Sequence, residues 1–328
     1  MKVQDKLGQM FNIGLSGPEL LDKEKKLIIE NNIGGVTLFS RNITDVDQVR
    51  NLCESLQGLT SEMPSSEKLL IAIDQEGGRV ARIKEPLKVF APMYEIGEED
   101  SPALCFEVAT ELAEDLLSLG INWDFAPVLD VRLNDKNEVI GDRAFSNDPH
   151  QVAKLTSGFL RGFKKSGMIG CGKHFPGHGY TALDSHFDLP VDERSFEEIQ
   201  NTELIPFQKA IAQKVDAMMM AHIVYPKVDA QWPASLSSIW IQEILRNQLQ
   251  FEGLIVSDDI NMKALDPYRK QSLSCRAIES GADIMLYCEG YDLQFKALQE
   301  AREQAERLQE NIESSYERVL KLKSKYLT

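Results

Sequence analysis

The chain has 328 residues, enough for two ordinary domains or for one large α/β barrel. Its 36 lysine and arginine residues stand against 51 aspartate and glutamate residues, and the resulting net charge of -15 repels nucleic acids and anionic membrane surfaces. We therefore expect no nucleic-acid partner and no membrane partner, and the amino terminus has no apolar run of signal-peptide length. The five cysteines are odd in number and widely spaced, which favours a reducing, cytoplasmic location over a disulfide framework.

Short apolar runs alternate with helix-type segments from one end of the chain to the other. The runs with the length and composition of buried strands are 9–17, 33–40, 68–74, 121–131, 167–174, 216–222, 251–258 and 282–288. Helical spacing follows most clearly at 101–119, 149–165, 195–213 and 237–249, and several of these segments open on a serine that can cap a helix. Strand then helix, repeated eight times without a linker, predicts an α/β fold of the (β/α)8 TIM-type barrel class, with residues 1–328 as a single catalytic domain.

The last periodic segment, 291–323, is rich in Glu, Gln, Arg and Lys. This composition predicts a long, solvated carboxyl-terminal helix on the outside of the barrel. A binding role for its charged face is the alternative.

Ionisable residues follow five of the eight predicted strands. In barrels of this class the chemistry takes place where the carboxyl ends of the strands meet, so these residues are expected to face one another across the mouth. They are, in strand order, Asp74 with Glu76, Arg79 and Arg82, Asp130 with Asp142 and Arg143, Lys173 with His174, His222, and Asp258 with Asp259. Asp74, Arg82 and Arg143 are interpreted either as structural ion pairs or as a forked grip on sugar hydroxyl groups.

The segment KHFPGHGYTALDSHFDLP after the fifth strand contains three of the five histidines. His174 and His178 have the spacing of a helical zinc pair, but Pro176 and Gly177 between them break the helix that such a pair requires. No metal and no other cofactor is therefore expected. Lys173 and His174 are expected instead to donate hydrogen bonds to a neutral polar ligand.

Asp184 and His186 stand two residues apart in the loop of this segment. In extended backbone such residues project to the same side, so the carboxylate can orient the imidazole and raise its pKa, which makes His186 a candidate proton donor. The alternative is a turn in which Asp184 accepts bonds from the backbone and His186 is solvated. Pro176, Gly177 and Gly179 are hinge candidates, so we expect the loop to move.

Asp258 and Asp259 end the seventh predicted strand within the motif VSDDINM. Adjacent strand residues face opposite ways, so one carboxylate is expected at the mouth and the other in the helix layer. A carboxylate at the end of a barrel strand suits a nucleophile, and an aspartate that caps the following turn is the alternative.

The motifs AIDQEGGRVAR, INWDFAPVLDV, GDRAF, GKHFPGHGYTALDSH, LPVDERSFEEIQNTELIPFQKAI, MMMAHI and VSDDINM together resemble glycoside hydrolase family 3 over nearly the whole chain. Within that family the resemblance is to the single-domain bacterial β-N-acetylglucosaminidases of peptidoglycan recycling. It implies a retaining exo-hydrolase that forms a covalent glycosyl-enzyme on N-acetylglucosamine-containing muropeptides and needs no metal. We expect a cytoplasmic monomer.

The resemblance also implies residue roles. Asp258 would be the nucleophile, and His186 would be the general acid/base with Asp184 as its partner. The pocket for the N-acetylglucosamine ring would be lined by Asp74, Arg82, Arg143, Lys173 and His174.

Other readings stay open. The same scaffold could act as a β-glucosidase, or as a phosphorylase, because a histidine that has lost its proton does not repel a phosphate acceptor. A metal-dependent barrel hydrolase and a non-catalytic sugar-binding protein belong to different functional classes.

Overall fold

The computed structural model of the chain, which describes residues 1–181 and 189–327, is built around a closed barrel of eight parallel strands. The strands of the described residues are β1 (Phe11–Gly14), β2 (Gly35–Leu38), β3 (Leu70–Ile73), β4 (Gln75–Gly77), β5 (Val80–Ala81), β6 (Trp123–Asp124), β7 (Ile169–Phe175), β8 (Ala217–Met220), β9 (Leu254–Asp259) and β10 (Ile284–Tyr287). The barrel order is β1-β2-β3-β6-β7-β8-β9-β10, and β4 and β5 form an antiparallel hairpin after β3. Each barrel strand falls within or overlaps one predicted run, so the predicted (β/α)8 fold class is confirmed.

Helices connect the strands around the outside of the barrel. The α-helices of the described residues are α1 (Val3–Gly8), α2 (Asp22–Glu30), α3 (Val46–Gly58), α4 (Met93–Glu98), α5 (Pro102–Ser118), α6 (Pro149–Ser166), α7 (Phe196–Gln200), α8 (Leu204–Ala212), α9 (Leu273–Ser280), α10 (Tyr291–Glu303) and α11 (Gln309–Tyr326). Short 3-10 helices cover Ser40–Asn42, Leu59–Glu62, Gly141–Arg143, Ala234–Leu236 and Lys263–Tyr268, and Ile239–Gln248 forms a π-helix. Ser101 and Ser195 cap α5 and α7, since each hydroxyl accepts a backbone N–H of the first turn. In residues 1–181 and 189–327, no helix is long and apolar enough to cross a membrane.

The interior of the barrel is filled by side chains that alternate along the strands. Ala72 of β3 and Val256 of β9 pack with matching residues of the other strands into one buried cluster. The next position in this alternation is polar, because Asp74 follows Ala72 and Asp258 follows Val256. Along β3 the two-residue period that fills the barrel therefore also carries a carboxylate to its carboxyl-terminal end, whereas the register between β9 and β10 shifts by one residue between Val256 and Asp259.

The carboxyl-terminal segment differs from the prediction. It forms two helices, and α11 lies across the amino-terminal end of the barrel, where its Val319 and Leu322 join the interior cluster. Its buried face continues at helical spacing through Ile312 and Tyr316, which the high charge content of the segment conceals. The expected single, solvated outer helix over 291–323 is therefore wrong.

The predicted helix over 195–213 is also interrupted. α7 ends at Gln200 and α8 begins at Leu204, and between them Glu203 turns inward with a fully buried side chain. A buried carboxylate needs a cationic or hydrogen-bonding partner, and Glu203 accepts from the Arg194 guanidinium. An ion pair with a residue that precedes both helices thus lies at the break, and no helical pattern reveals it.

Candidate active site

A cavity of about 750 Å³ opens at the carboxyl-terminal end of the barrel. Active sites of enzymes with this fold lie at that end. The residues in its wall include Asp74, Arg82, Arg143, Lys173, His174 and Asp258, together with Glu76, His178, Asp259, Phe39, Phe125, Met219, Met262 and Leu286. The cavity thus brings together the six sequence-predicted site residues that fall within the described part of the chain.

Asp74 follows β3 and accepts hydrogen bonds from two cations. The Lys173 ammonium donates to Oδ1 at 2.8 Å, and the Arg82 guanidinium donates to Oδ2 at 3.1 Å. Burial alone would raise the pKa of Asp74, but the two cations outweigh it and hold this pKa well below its ordinary value. Asp74 is therefore an ionised acceptor, and 18% of its side chain is still exposed in the cavity wall.

Glu76, in the β4–β5 hairpin, is the deeper acid of the cluster. Its two oxygens accept from Nε and Nη2 of Arg143, both at 2.8 Å, and Oε1 also lies 2.6 Å from the Lys173 ammonium. Burial by itself would raise the pKa of Glu76, but Arg143 and Lys173 lower it to about 2. With 2% of its side chain exposed, Glu76 serves to hold the two cations that face the ligand space.

The sequence places Glu76 among the ionisable residues at the end of the third strand, but it does not predict that Glu76 holds Lys173 and Arg143. The available signal was its position two residues after Asp74 within DQEGGR, just beyond a strand end. That signal is weak, because the hairpin and not the barrel strand sets the direction of the Glu76 side chain.

Asp130 organises the chain at the end of β7. Its fully buried carboxylate accepts the backbone N–H of His174 at 3.2 Å, the backbone N–H of His178 at 2.7 Å, and Nδ1 of the His174 ring at 2.7 Å. Burial would raise the pKa of Asp130, but the contacts with His174 outweigh it and lower this pKa. An ionised Asp130 holds the proton on Nδ1 of His174 and leaves Nε2 as the ring nitrogen that can meet a ligand.

Asp258 and Asp259 end β9 with different contacts. Asp258 Oδ1 accepts the backbone N–H of Asp259 at 2.8 Å. Asp259 Oδ1 accepts the backbone N–H groups of Asn261 at 3.0 Å and Cys288 at 3.2 Å, and burial raises the pKa of Asp259 to about 6. Both residues line the cavity, and they differ in that the Asp259 carboxylate is tied by backbone N–H groups into the seam between β9 and β10.

Asp184 and His186, the predicted acid/base pair, lie outside the described residues. The described chain ends at Thr181 and resumes at Leu189, so both flanks of this segment are part of the structure.

The glycines before this segment are packed closely against other parts of the barrel. A Cβ on Gly177 would lie 2.4 Å from Cγ of Glu203, and a Cβ on Gly179 would lie 1.7 Å from the Val131 carbonyl oxygen. Close packing therefore accounts for both glycines, and their hinge role stays a prediction.

Within residues 1–181 and 189–327, no group of three or more His, Cys, Asp or Glu side chains is arranged to hold a metal ion. His174 and His178 have ring centroids 6.0 Å apart, and the partner that both share is Asp130.

Comparisons with known proteins agree with this geometry. The model of the glycosyl hydrolase family 3 N terminal domain matches residues 2–322. A beta-hexosaminidase of Nitrosospira multiformis is 40% identical over 286 residues, which are 84% of this chain and 79% of the relative.

Two solved structures extend the likeness. A glycoside hydrolase family 3 β-N-acetylglucosaminidase from Paenibacillus sp. str. FPU-7 superposes with a TM-score of 0.94 and 37% identity. That match covers 99% of this chain and 63% of the Paenibacillus chain, so this chain spans less than two thirds of that protein. NagZ from Neisseria gonorrhoeae superposes with a TM-score of 0.80 and 32% identity, over 95% of this chain and 97% of that one.

The family match runs through every barrel strand and through all six described cavity residues named above. The identity to the Nitrosospira relative extends over most of both chains. The chain belongs to glycosyl hydrolase family 3.

Proposed function

We propose that the chain is a retaining exo-β-N-acetylglucosaminidase that removes terminal N-acetylglucosamine from muropeptide-type glycosides. The observation that carries the proposal is that Asp258 shares one cavity with a compact cluster of carboxylates and cations. Membership of family 3, and relatives named beta-hexosaminidase and β-N-acetylglucosaminidase, support the sugar class.

The cluster keeps hydrogen-bonding capacity for a sugar. Lys173 uses two of its three N–H groups on Asp74 and Glu76, so one is left over from its contacts with the described residues. Arg143 uses three of its five N–H groups on Glu76 and on the Val139 carbonyl oxygen. Cationic donors beside an ionised acceptor suit neighbouring hydroxyl groups of a sugar ring, each of which both donates and accepts.

The formal charges of the cluster suit a neutral ligand. Its three cations, Arg82, Arg143 and Lys173, are each paired with Asp74 or Glu76, so the cluster presents no unpaired cation to attract an anionic ligand.

The chemistry follows from the assigned roles. In the first step a carboxylate oxygen of Asp258 attacks the anomeric carbon while His186 gives its proton to the departing glycosidic oxygen, so the old C–O bond breaks and a glycosyl ester forms. Asp184 would stabilise the cationic imidazole. In the second step His186 takes a proton from a water molecule as its oxygen attacks the anomeric carbon, and Asp258 departs as a carboxylate. Two inversions give net retention.

The test compares an aryl N-acetyl-β-glucosaminide with the matching aryl β-glucoside. We expect the wild type to hydrolyse only the N-acetyl substrate, and Asp258→Asn to lose about 10⁴-fold or more in kcat, because an amide is a poor nucleophile. Asp259→Asn is the matched control, since the neighbouring carboxylate is engaged with backbone N–H groups and we expect it to lose far less.

The other outcomes separate the alternatives. Hydrolysis of the β-glucoside at a similar rate would favour the β-glucosidase reading, and glycosyl phosphate among the products at high phosphate would favour phosphorolysis. Full activity in Asp258→Asn would reject this aspartate as the nucleophile.

A further inference from the structure

The chain that leads to the predicted acid/base segment is fastened to the barrel. The Tyr225 hydroxyl donates to the Gly177 carbonyl oxygen at 2.7 Å, and the Asn137 side-chain amide donates to the His178 carbonyl oxygen at 2.6 Å. Both contacts are buried, so the position of the backbone is set a few residues before Thr181.

The chain that leaves the segment is fastened independently. The backbone N–H of Val224 donates to the Pro190 carbonyl oxygen at 3.0 Å, and the backbone N–H of Asp192 donates to the Val224 carbonyl oxygen at 2.9 Å. These bonds form a parallel bridge between Val191 and Val224, just beyond β8.

A buried ion cluster then ties the two flanks to each other. Arg194 donates to both oxygens of Asp192, with Nε at 3.0 Å from Oδ1 and Nη2 at 2.6 Å from Oδ2, and its Nη1 donates to Glu203 Oε2 at 2.9 Å. The guanidinium carbon also lies 3.8 Å from the centre of the Tyr180 ring, in the flank before the segment. We call Tyr180, Asp192, Arg194 and Glu203 the Arg194 clasp.

Glu203 completes the connection. Its side chain packs on Gly177, which leaves no room for a Cβ there, and its carboxylate is fully buried against Arg194. The clasp therefore joins residues on both sides of the predicted acid/base segment through a single guanidinium.

We propose that the Arg194 clasp positions the general acid/base. This inference rests on the proposed function, in which His186 lies between the two flanks that the clasp joins. Arg194 is then a positioning residue, which touches no reacting atom. It acts by fixing the described flanks on both sides of the acid/base segment.

The proposal predicts a specific kinetic signature. Protonation of the glycosidic oxygen matters most when the leaving group is basic and little when the leaving group is a stable anion. A clasp that merely supports the fold would change both kinds of substrate alike, whereas a clasp that positions the acid changes their ratio.

The experiment measures kcat/KM on two aryl N-acetyl-β-glucosaminides, one with an acidic dinitrophenol leaving group and one with a basic methoxyphenol leaving group. The ratio is kcat/KM on the dinitrophenyl substrate divided by kcat/KM on the methoxyphenyl substrate. In Arg194→Ala we expect this ratio to rise by about 10- to 100-fold, in the same direction as in His186→Ala. Arg194→Lys keeps the positive charge but loses the planar guanidinium that bonds two carboxylates at once, so we expect this ratio to rise less than in Arg194→Ala.

The matched control is Arg246→Ala at the opposite end of the barrel. Arg246 has the same chemistry, because it pairs with the fully buried Asp283, and 12% of its side chain is exposed against 13% for Arg194. Its loss should weaken the fold and leave the ratio as in the wild type.

Tyr180→Leu is a second clasp variant, and it keeps the proposal testable if Arg194→Ala does not fold. The Tyr180 ring is 44% exposed, so its replacement should preserve the fold and still raise the ratio, although less than Arg194→Ala does. A wild-type ratio in every folded clasp variant would overturn the proposal. A wild type that hydrolyses neither substrate would instead refute the proposed function, and this is measured first.

Discussion

The two ends of the barrel contain the same kinds of buried charged side chains in opposite settings. At the carboxyl-terminal end, Asp74, Glu76, Lys173 and Arg143 lie in the wall of an open cavity. At the amino-terminal end, comparable side chains lie beneath α11. The difference teaches that a buried ion cluster marks a candidate functional site only where donors and acceptors are left for a ligand.

Asp283 shows how the amino-terminal end uses its charges. Its fully buried carboxylate pairs with Arg246 on one oxygen and with Arg318 on the other, where Nε lies 2.8 Å from Oδ1. The backbone N–H of Ile255 adds a further bond at 2.8 Å. Protein groups thus engage both oxygens of Asp283. Because Arg318 belongs to α11, this arrangement attaches α11 to the barrel.

The strongest test of the comparison is Glu76→Gln at the cavity. The amide keeps the shape of the side chain but presents an N–H group to a cation, so Arg143 and Lys173 lose part of their shared partner. We expect kcat/KM on the aryl N-acetyl-β-glucosaminide to fall on the order of 10²-fold, because both cations shift relative to the sugar. The free energy of unfolding should fall as well, by about 3 kcal/mol.

Steady-state kinetics and denaturant unfolding of the same preparation separate the two effects of Glu76→Gln. Activity within about twofold of the wild type would mean that the cluster is structural, like its counterpart at the other end.

Asp283→Asn provides the second test, at the amino-terminal end. The change leaves Arg246 and Arg318 without a full counter-charge, and we expect the free energy of unfolding to fall by about 3 kcal/mol. Turnover per folded molecule should match the wild type, since this cluster faces no ligand. A fall in kcat/KM of Asp283→Asn comparable to that of Glu76→Gln would contradict the proposed difference between the two ends.

The sequence predicts the barrel and most of the described cavity for a common physical reason. Parallel strands bring their carboxyl ends together, so residues such as Asp74 and Asp258, far apart in the chain, must meet once eight strands are recognised. The two-residue period alone does not separate Asp258 from Asp259, because both residues line the cavity and the register between β9 and β10 is irregular beside them.

The contacts that escaped prediction are made by side chains outside the barrel strands. Glu76 lies in a hairpin, and Glu203 lies at a helix break, so neither direction follows from a period. The position of α11 escaped because its charged residues suggested solvent on all sides, whereas Lys323 is itself buried under the barrel. In each case an ion or hydrogen-bonding partner outside the local helix or strand decides the geometry, and a single sequence does not identify that partner.

Lys323 provides the test with the smallest expected effect, and it asks whether the amino-terminal end of the barrel is closed to water. Its ammonium donates to the side-chain oxygen of Gln9 at 2.6 Å and to the Gly34 carbonyl oxygen at 3.0 Å, both neutral acceptors. Burial lowers the pKa of Lys323 to about 7, from an ordinary value of 10.5 in the unfolded chain. Between these two values the unfolded chain binds a proton that the folded chain does not, so stability must rise with pH across this window.

We therefore expect the wild type to gain stability relative to Lys323→Met between pH 7 and pH 10, by at most about 1.4 kcal/mol per pH unit. Below pH 7 the lysine is charged in both states, so the difference between the two proteins should be constant. Denaturant unfolding at each pH measures this difference, and kcat should be the same in both proteins at every pH. Parallel stability curves would show that α11 leaves Lys323 in contact with water, and the contrast between a sealed end and an open end would then fail at Lys323.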